Sequence, residues 1–238
     1  MEDLLAPLVL FVAALAQGFL GFGFGIIAMS GLSLLLDPWQ AAGIVNLTGL
    51  LQTGGLALWL RRKIAWDPLR RILPGAGVGI GVGLALLGQL PGPHLLRLLG
   101  VVIVGFALWH LGTRRPRGMP SPRWDLPVGF ASGVLTGMFN TGGPPIVAHV
   151  YRRPDPPETL IATVQAIFVC SALIRLLVAS SLGMLSGAAW RQALAWAVFV
   201  LVGVWGGRRL GRRLSAARFR RTSWIALAGI GLWLIARH

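Results

Sequence analysis

Two long apolar stretches of the sequence are each interrupted by glycines, at residues 17–25 and 136–144. The shift along the chain that places the first stretch on the second aligns four pairs without a gap: Gly18 with Gly137, Gly23 with Gly142, Pro38 with Pro157, and Asn46 with Gln165. A polar residue that recurs at the same place in two apolar segments indicates internal duplication. Paired broken helices in duplicated halves are the pattern expected of a membrane transporter whose site lies between the repeats.

The composition also places the chain in a membrane. Hydrophobic residues make up 55% of the 238 residues, and the mean hydropathy is +0.72. Charged residues make up 12%, compared with about 25% in soluble domains. Apolar runs of roughly 18 or more residues, long enough to cross a bilayer as a helix, recur along the chain. The sequence therefore predicts an all-α, polytopic membrane protein.

The formal net charge of +15 does not indicate nucleic-acid binding, because the basic residues stand in short clusters between apolar runs. Such clusters orient membrane segments and contact anionic lipid headgroups. We therefore expect membrane lipids as partners, and no nucleic acid. The single cysteine, Cys170, allows no disulfide within the chain and no metal-ligand set, so we expect neither a metal nor a cofactor.

The apolar segments follow one another in two similar halves. The first, at 4–36, is too long for one span of about 20 residues, so we expect two half-helices joined inside the membrane. The other predicted segments are 39–60, 72–90, 95–112, the second broken segment 127–151, 158–181, 188–207 and 222–236. The predicted division is a first transmembrane repeat at 1–112, a basic cytoplasmic linker at 113–126 and a second transmembrane repeat at 127–238.

The distribution of lysine and arginine indicates whether the broken segments cross. If all eight segments cross, the basic residues divide almost evenly between the faces, whereas membrane proteins normally concentrate them in the cytoplasm. If both broken segments return to their own side, four basic clusters share one face: 61–71, 113–126, 152–153 and 208–221. The sequence thus predicts inverted repeats, each a glycine-broken re-entrant helical hairpin plus three transmembrane helices, with both termini outside the cytoplasm.

A further glycine run lies in the third segment, where Gly75, Gly79 and Gly83 share one helix face. Small residues four apart let helix backbones approach closely in lipid. A nucleotide-binding glycine loop would need a preceding strand and a soluble context, and the sequence indicates neither. We therefore predict helix packing at these glycines.

The broken segments carry the predicted binding site. Half-helices beginning near Phe24 and Pro144 would point unpaired N–H groups and positive dipole ends at the midplane, which favours an anion. The predicted contacts at these tips are Gly21, Gly23, Gly25, Asn140, Thr141, Gly142 and Gly143. The alternative is that the glycines only allow close packing.

Polar residues elsewhere in the apolar segments are further candidates. Asn46 and Gln165 each lie roughly 12 Å beyond a helix-starting proline, level with the tips, and either bind the anion or join two helices by a hydrogen bond. Arg175, His149 and Gln52 are candidates for anion binding or proton coupling. Arg175 could instead reach the membrane interface, and His149 could be a hydrogen-bonded structural residue.

Acidic residues are confined to loops and to the ends of apolar segments: Glu2, Asp3, Asp37, Asp67, Asp125, Asp155 and Glu158. A carboxylate inside a span is what a cation site or a carboxylate proton relay requires. The sequence therefore disfavours cation transport, and it contains no catalytic set for a membrane enzyme.

The glycine stretches at 18–25, 133–137 and 142–145 resemble those of the TauE/SafE family of membrane permeases, also called sulfite exporters. The resemblance covers nearly the whole chain and implies transport of sulfite, sulfoacetate or a similar small sulfur-containing or organic anion across the bacterial inner membrane. The first stretch departs from the common Gly-Gly-Gly form, because Phe22 and Phe24 stand between its glycines and would narrow the site.

We therefore expect a secondary transporter, an exporter of small anions, that works by alternating access with the anion between the tips. A passive anion channel is the alternative, and a membrane enzyme or an assembly factor is a weaker one. The expectation is compatible with a homodimer. Replacing Asn140 or Gln165 by Ala is expected to weaken transport without unfolding the protein.

Overall fold

The computed structural model describes residues 2–112, 120–183, 187–211 and 216–237, and all regular structure within these ranges is helical. The α-helices are α1 (Glu2–Leu20), α2 (Phe24–Leu32), α3 (Pro38–Trp59), α4 (Trp66–Gln89), α5 (Gly92–Gly112), α6 (Asp125–Phe139), α7 (Gly143–Val150), α8 (Pro157–Ser181), α9 (Gly187–Gly211) and α10 (Ala216–Arg237). Short 3₁₀ turns at Arg61–Lys63 and Pro122–Trp124 precede α4 and α6. The prediction of an all-α protein is confirmed.

Five of the described helices are long and apolar enough to cross a membrane: α3, α4, α5, α8 and α9. This confirms that the chain is a polytopic membrane protein. α10, which covers the predicted span 222–236, is not among the five. Of its described residues, Ala228–Arg237 form a shorter apolar stretch.

Both glycine-rich stretches break a helix, separating α1 from α2 and α6 from α7. In the first break Gly21 and Gly23 have φ angles of 81° and 105°, a backbone conformation that glycine adopts without steric strain. In the second break Asn140 has a φ of 54°, and it is the one non-glycine residue with positive φ in the described ranges. Asparagine tolerates this left-handed region better than most residues. The half-helices therefore begin at, or within one residue of, the predicted positions.

Two segments predicted as basic loops are largely helical, so the prediction of loops there is wrong. α4 takes in the second part of 61–71, and α9 and α10 take in 208–211 and 216–221. Long basic side chains can lie along a helix and place their charge at the interface: Arg208 lies 4.8 Å from the ring centre of Trp59, and Arg209 lies 4.5 Å from that of Trp205. Residues 212–215, and 113–119 of the predicted linker, lie outside the described residues.

The glycines of α4 hold it against α6. A Cβ atom at Gly75, Gly79 or Gly83 would overlap a backbone carbonyl oxygen of α6. α6 contributes a matching row, equally close to the backbone of α4: Gly129, Gly133 and Gly137. Because lipid supplies little hydrophobic force between helices, such close backbone contact is a main source of helix association. The predicted packing role of the α4 glycines is confirmed.

Replacing Gly79 by Ala is expected to destabilise the bundle, because the new Cβ would overlap the carbonyl oxygen of Phe130. Overpacking of this kind costs about 1–3 kcal/mol. Gly81 on the same helix is the matched control: no atom lies within 4 Å of its Cβ position, so Gly81→Ala should be neutral or stabilising by up to about 1 kcal/mol. Thermal unfolding of the purified protein in detergent measures both. Equal melting temperatures for Gly79→Ala and wild type would contradict this interface.

The helix contacts of one half recur in the other. α1 packs along α9 as α6 packs along α4, and α3 contacts α9 as α8 contacts α4. α3 also packs against α8, and α5 packs against α10, where Gly100 and Gly231 meet. If α1–α5 are matched with α6–α10, exchanging the two halves leaves this set of contacts unchanged. The bundle therefore has the contact symmetry of a duplicated chain.

Contacts along the helices give their relative directions. α3 and α9 run parallel, because Gln40 donates to Gln192 near their starts and Arg208 lies over Trp59 near their ends. α1 is also parallel to α9, since Gly203 packs on Phe11 and Gly211 packs on Phe19. Because α1 and α3 run in the same direction, the chain must turn back between them, and α2 lies on this returning segment.

The matched helices α3 and α8 run antiparallel. The amide of Asn46, in the first half of α3, reaches the carbonyl oxygen of Ala172 in the second half of α8. At the other end Lys63, just after α3, pairs with Glu158 in the first turn of α8. The third helix of each half, α3 and α8, thus runs in the opposite direction to its counterpart.

The described parts of the basic clusters gather at one end of the bundle. The ion pair of Lys63 with Glu158, the approach of Arg71 to Asp125 (3.9 Å) and the stacking of Arg208 on Trp59 all lie at the end where α3 finishes. The contact of Gln40 with Gln192, next to Arg191, lies at the opposite end. These contacts place Lys63, Arg71 and Arg208 at the same end of the bundle.

Candidate functional site

The broken helices meet inside the bundle. Gly25, in the first turn of α2, lies against the backbone of Asn140, so closely that a Cβ atom at Gly25 would overlap the Asn140 carbonyl oxygen. The Asn140 side chain donates from Nδ2 to the carbonyl oxygen of Ala42 in α3 (2.7 Å). The tips of the two broken helices are therefore packed on each other and attached to α3.

Side-chain hydrogen bonds hold each tip. Gln17 Oε1 accepts from the N–H of Phe24 (3.0 Å), one of the donors that a helix start leaves without a partner in its own helix. Gln165 Nε2 donates to the carbonyl oxygen of Gly21 (2.9 Å), and the Ser132 hydroxyl donates to that of Gly142 (2.6 Å). The non-helical backbone at both breaks is thus fixed by groups from α1, α6 and α8.

A cavity of about 80 Å³ lies between the two tips, α3 and α8. One water needs roughly 10–15 Å³ on a comparable measure, so the cavity has room for a small polyatomic ion. The predicted site residues that line it are Gly23, Gly25, Asn46, Gln52, Asn140, Thr141, Gly142 and Gly143. The apolar part of its wall includes Phe24, Ile26, Val45 and Phe168. Of the two phenylalanines noted in the first glycine stretch, Phe24 thus reaches the cavity.

Three side chains at this cavity carry buried polar atoms that have no hydrogen-bond partner in the described structure. These are Asn46 Oδ1, Thr141 Oγ1, and both Oε1 and Nε2 of Gln52. The side chains are at most 5% exposed. Leaving a buried polar atom unpaired costs about 1–3 kcal/mol, so a group of them at one cavity calls for an explanation.

The duplicated amides have different environments. Asn46 lines the cavity, and its Nδ2 makes only a long contact of 3.4 Å with Ala172. Gln165 lies behind the first tip and bonds to Gly21, so neither Gln165 nor Gly21 lines the cavity. An Ala substitution at Gln165 or Asn140 would therefore remove a bond that holds a tip, and Gln52 and Thr141 are cleaner probes of binding.

Arg175 is buried and does not reach the membrane interface, so the snorkelling alternative is wrong. The side chain is 2% exposed, and Nε donates to the carbonyl oxygens of Thr136 (2.9 Å) and Gly137 (3.2 Å) at the end of α6. One Nη atom also lies 3.4 Å from the carbonyl oxygen of Ala42. Its cation stabilises the negative end of the α6 dipole, and within the described residues it has no carboxylate partner. Arg175 lies one turn beyond Ala172, which lines the cavity.

His149 lies away from this cavity, near the C-terminal end of α7. Its Nε2 lies 2.6 Å from Oδ1 of Asp125, the first residue of α6, and both side chains are buried. The prediction placed Asp125 at the end of a segment, which is correct, but nothing in the sequence indicated that it is buried and paired.

Several residues of the site were missed from the sequence. Gln17 caps α2, and Thr136 and Ser171 line the cavity. A signal for them was present, because the shift that aligns Asn46 with Gln165 also aligns Gln17 with Thr136 and Gln52 with Ser171. Polar pairs that recur in both halves thus mark the surroundings of the cavity better than the glycines alone.

The described residues around the cavity supply amides, hydroxyls and backbone groups, with no histidine, cysteine or carboxylate among them. Such a lining suits the binding of a polar solute, and it lies within a bundle of helices, several of which are long and apolar enough to span a membrane. The class defined by this arrangement is a membrane transport protein. The chain belongs to the TauE/SafE sulfite exporter family, whose model matches residues 6–234. This is a family of transporters and not of enzymes.

Two curated relatives are similar to the chain. One is the "Probable inner membrane transporter protein TsaS" of Comamonas testosteroni, 34% identical over an alignment that covers 73% of each chain. The other is the "Probable sulfite/organosulfonate exporter TauE" of Cupriavidus necator, 31% identical, with 98% of this chain and 95% of the relative covered. No solved structure matches the chain.

Proposed function

We propose that this protein is a secondary transporter that exports a small anion, such as sulfite or a short organosulfonate like sulfoacetate, from the cytoplasm across the bacterial inner membrane. The names of the two relatives support this substrate class and this membrane. The cavity between the broken-helix tips is the binding site in this proposal.

The observation that carries the proposal is the group of unpartnered polar atoms at the cavity. Gln52 and Thr141 supply an N–H₂ group and a hydroxyl, and both can donate to an oxyanion. Hydrogen bonds to a charged group contribute about 1.5–3 kcal/mol each, more than bonds between neutral groups. A site of neutral donors holds an anion without the strong charge pairing that would prevent its release.

The charges near the cavity favour an anion over a cation. Arg175 places a positive charge one turn beyond the cavity wall, and no described lining residue is acidic. The N-terminal ends of α2 and α7 also line the cavity and present the positive ends of their dipoles. Their contribution is smaller than the sequence predicts, since Gln17 occupies the Phe24 N–H and Pro144 and Pro145 have none.

Alternating access is the transport mechanism in this proposal. Inverted repeats with re-entrant hairpins are supported by the antiparallel course of α3 and α8, and by the parallel course of α1 and α3 on either side of α2. Rocking of one repeat against the other would open the cavity to each side in turn. The end of the bundle that carries the basic clusters faces the cytoplasm in this proposal, and both termini lie outside it.

Replacing Gln52 by Leu or Thr141 by Val tests the site. Each change removes unpartnered polar atoms at similar volume, so we expect unchanged or slightly higher melting temperatures. Anion exchange should weaken by about 10-fold or more, since one charge-assisted hydrogen bond is lost. The assay is counterflow, in which unlabelled anion inside proteoliposomes accelerates uptake of the labelled anion.

The matched control is Gln89→Leu, the same change at an exposed position near the end of α4. Wild-type exchange in both folded cavity variants would remove the proposed site. Saturable flux that the trans anion does not accelerate would indicate a passive channel in place of a carrier.

A further inference from the structure

The His149–Asp125 pair lies at the opposite end of α7 from the anion cavity. The carboxylate stands in the first turn of α6 and the imidazole in the last turn of α7. A negative charge is stabilised at a helix start and a positive charge at a helix end, so the acid and the base stand at the helix ends that suit them. Their contact of 2.6 Å joins the two limbs of the second hairpin.

The first hairpin lacks this pair. The shift that aligns the glycine stretches places Ala6 at the position of Asp125 and Ser30 at that of His149. Ala6 and Ser30 are buried, and the Ser30 hydroxyl donates to Ile26 within its own helix. A hairpin of this kind therefore folds without an acid and a base at these positions, and the pair in the second hairpin needs a reason beyond stability.

The pair borders a second, larger space. A cavity of about 590 Å³ at the basic end is lined by His149 and Arg152 together with apolar side chains of α5, α6 and α7. Pro144 lines the anion cavity and Pro145 lines this second one, so α7 is the wall between them. His149 therefore reaches this second cavity, on the side of α7 that faces away from the anion cavity.

Few other charged groups of the described structure face the pair. From α4, Arg71 lies 3.9 Å from Asp125 Oδ2, an oxygen that has no hydrogen-bond partner among the described groups. Arg152, which follows α7, lines the same cavity and has a buried, unpartnered Nε. Glu158 of α8 is paired with Lys63. Arg123, in the segment before α6, is exposed. Histidine is the residue type among these whose side chain can exchange a proton in the physiological pH range.

We infer that His149, oriented by Asp125, is a proton-binding site that couples the movement of α7, and thus anion transport, to a proton gradient. This inference rests on the proposed function. His149 donates its Nε2–H to the carboxylate, and Nδ1 takes up or releases the proton. Protonation turns a bond between a neutral donor and an anion into an ion pair, which holds α7 on α6. Loss of the proton weakens this hold. α7 is then free to move away from its position between the two cavities.

The test is sulfoacetate transport in proteoliposomes containing the full-length protein. Sulfoacetate keeps its charge near neutral pH, whereas sulfite titrates there. Wild type should show counterflow at fixed pH, a pH-dependent rate, and accumulation driven by an imposed pH gradient. His149→Gln should retain counterflow but lose both the pH dependence and the gradient-driven accumulation. Asp125→Asn should displace the pH profile, and Glu158→Gln, which alters an exposed ion pair at the same end, should match wild type.

The outcomes distinguish failure of the proton-coupling inference from failure of the proposed function. Counterflow in wild type without any effect of a pH gradient would overturn the inference and leave the proposed function intact. The wild-type protein alone is enough for this test. Wild-type pH dependence and accumulation in folded His149→Gln would likewise overturn it. Absence of counterflow in wild type at any pH would instead reject the carrier itself.

Discussion

Replacing Gly25 by Ala is expected to abolish or nearly abolish transport. The added Cβ would overlap the carbonyl oxygen of Asn140. The tip that contains Asn140 is fixed in place, because Arg175 donates to its backbone and the Asn140 side chain donates to α3. Backbone atoms cannot yield as a flexible side chain can, so the two tips must separate. Overpacking costs about 1–3 kcal/mol, and the cavity between the tips would lose its shape. We expect exchange to fall by at least about 10-fold.

The matched control is Gly55→Ala in α3, where no atom lies within 4 Å of the Cβ position and the residue is exposed. That variant should keep wild-type exchange and wild-type stability. Melting temperature and gel-filtration profile would show whether Gly25→Ala remains folded. A folded Gly25→Ala protein with wild-type exchange would mean that close contact of the tips is not required for transport.

Replacing Arg175 by Met is the second change with a large expected effect. It removes a buried cation and its N–H donors to carbonyl oxygens of α6 and α3, at a cost of about 1–3 kcal/mol, although Thr136 and Ala42 still accept hydrogen bonds from Asn140. It also removes a positive charge that lies one turn beyond the cavity wall. At an effective dielectric of about 20, such a charge at a distance of roughly 10 Å contributes on the order of 1–2 kcal/mol, so anion affinity should fall by about 10-fold.

A conservative variant separates the two roles of Arg175. Arg175→Lys retains the charge but lacks the planar fork, so we expect lower stability with anion affinity close to wild type. Arg209→Met removes a charge at the exposed basic end and should change neither quantity strongly. Competition curves in the exchange assay measure affinity, and thermal unfolding measures stability. If Arg175→Met bound the anion as tightly as wild type, the buried cation would be purely structural.

The membrane helices and the two helix breaks could be predicted from the sequence because local chemistry sets them. Apolar length requires membrane helices, and Gly21 and Gly23 adopt backbone angles that few other residues tolerate. Gly75 and its neighbours on α4 required a close partner, although the identity of that partner, α6, was not predicted. The error at 208–221 arose because arginines were taken as loop residues. They are also good helix formers, and here they stack on tryptophans at the end of the bundle.

The candidate site was only partly predictable. Duplication brought attention to Asn46 and Gln165, but which of them faces the cavity depends on how α3 and α8 cross. The partners of Arg175 are backbone carbonyls, which no pattern of side chains reveals. The pairing of Asp125 with His149 requires the second hairpin to fold back on itself, so it becomes visible only in three dimensions.

The most direct test of the central claim is exchange of labelled sulfite in proteoliposomes of the purified protein, with protein-free vesicles as the control. We expect saturable uptake that unlabelled sulfite inside the vesicles accelerates and that sulfoacetate outside competes with. Gln52→Leu should reduce this exchange while Gln89→Leu does not. Uptake equal to that of protein-free vesicles, for both anions and with either direction of an imposed proton gradient, would contradict an anion carrier with its site between the broken helices.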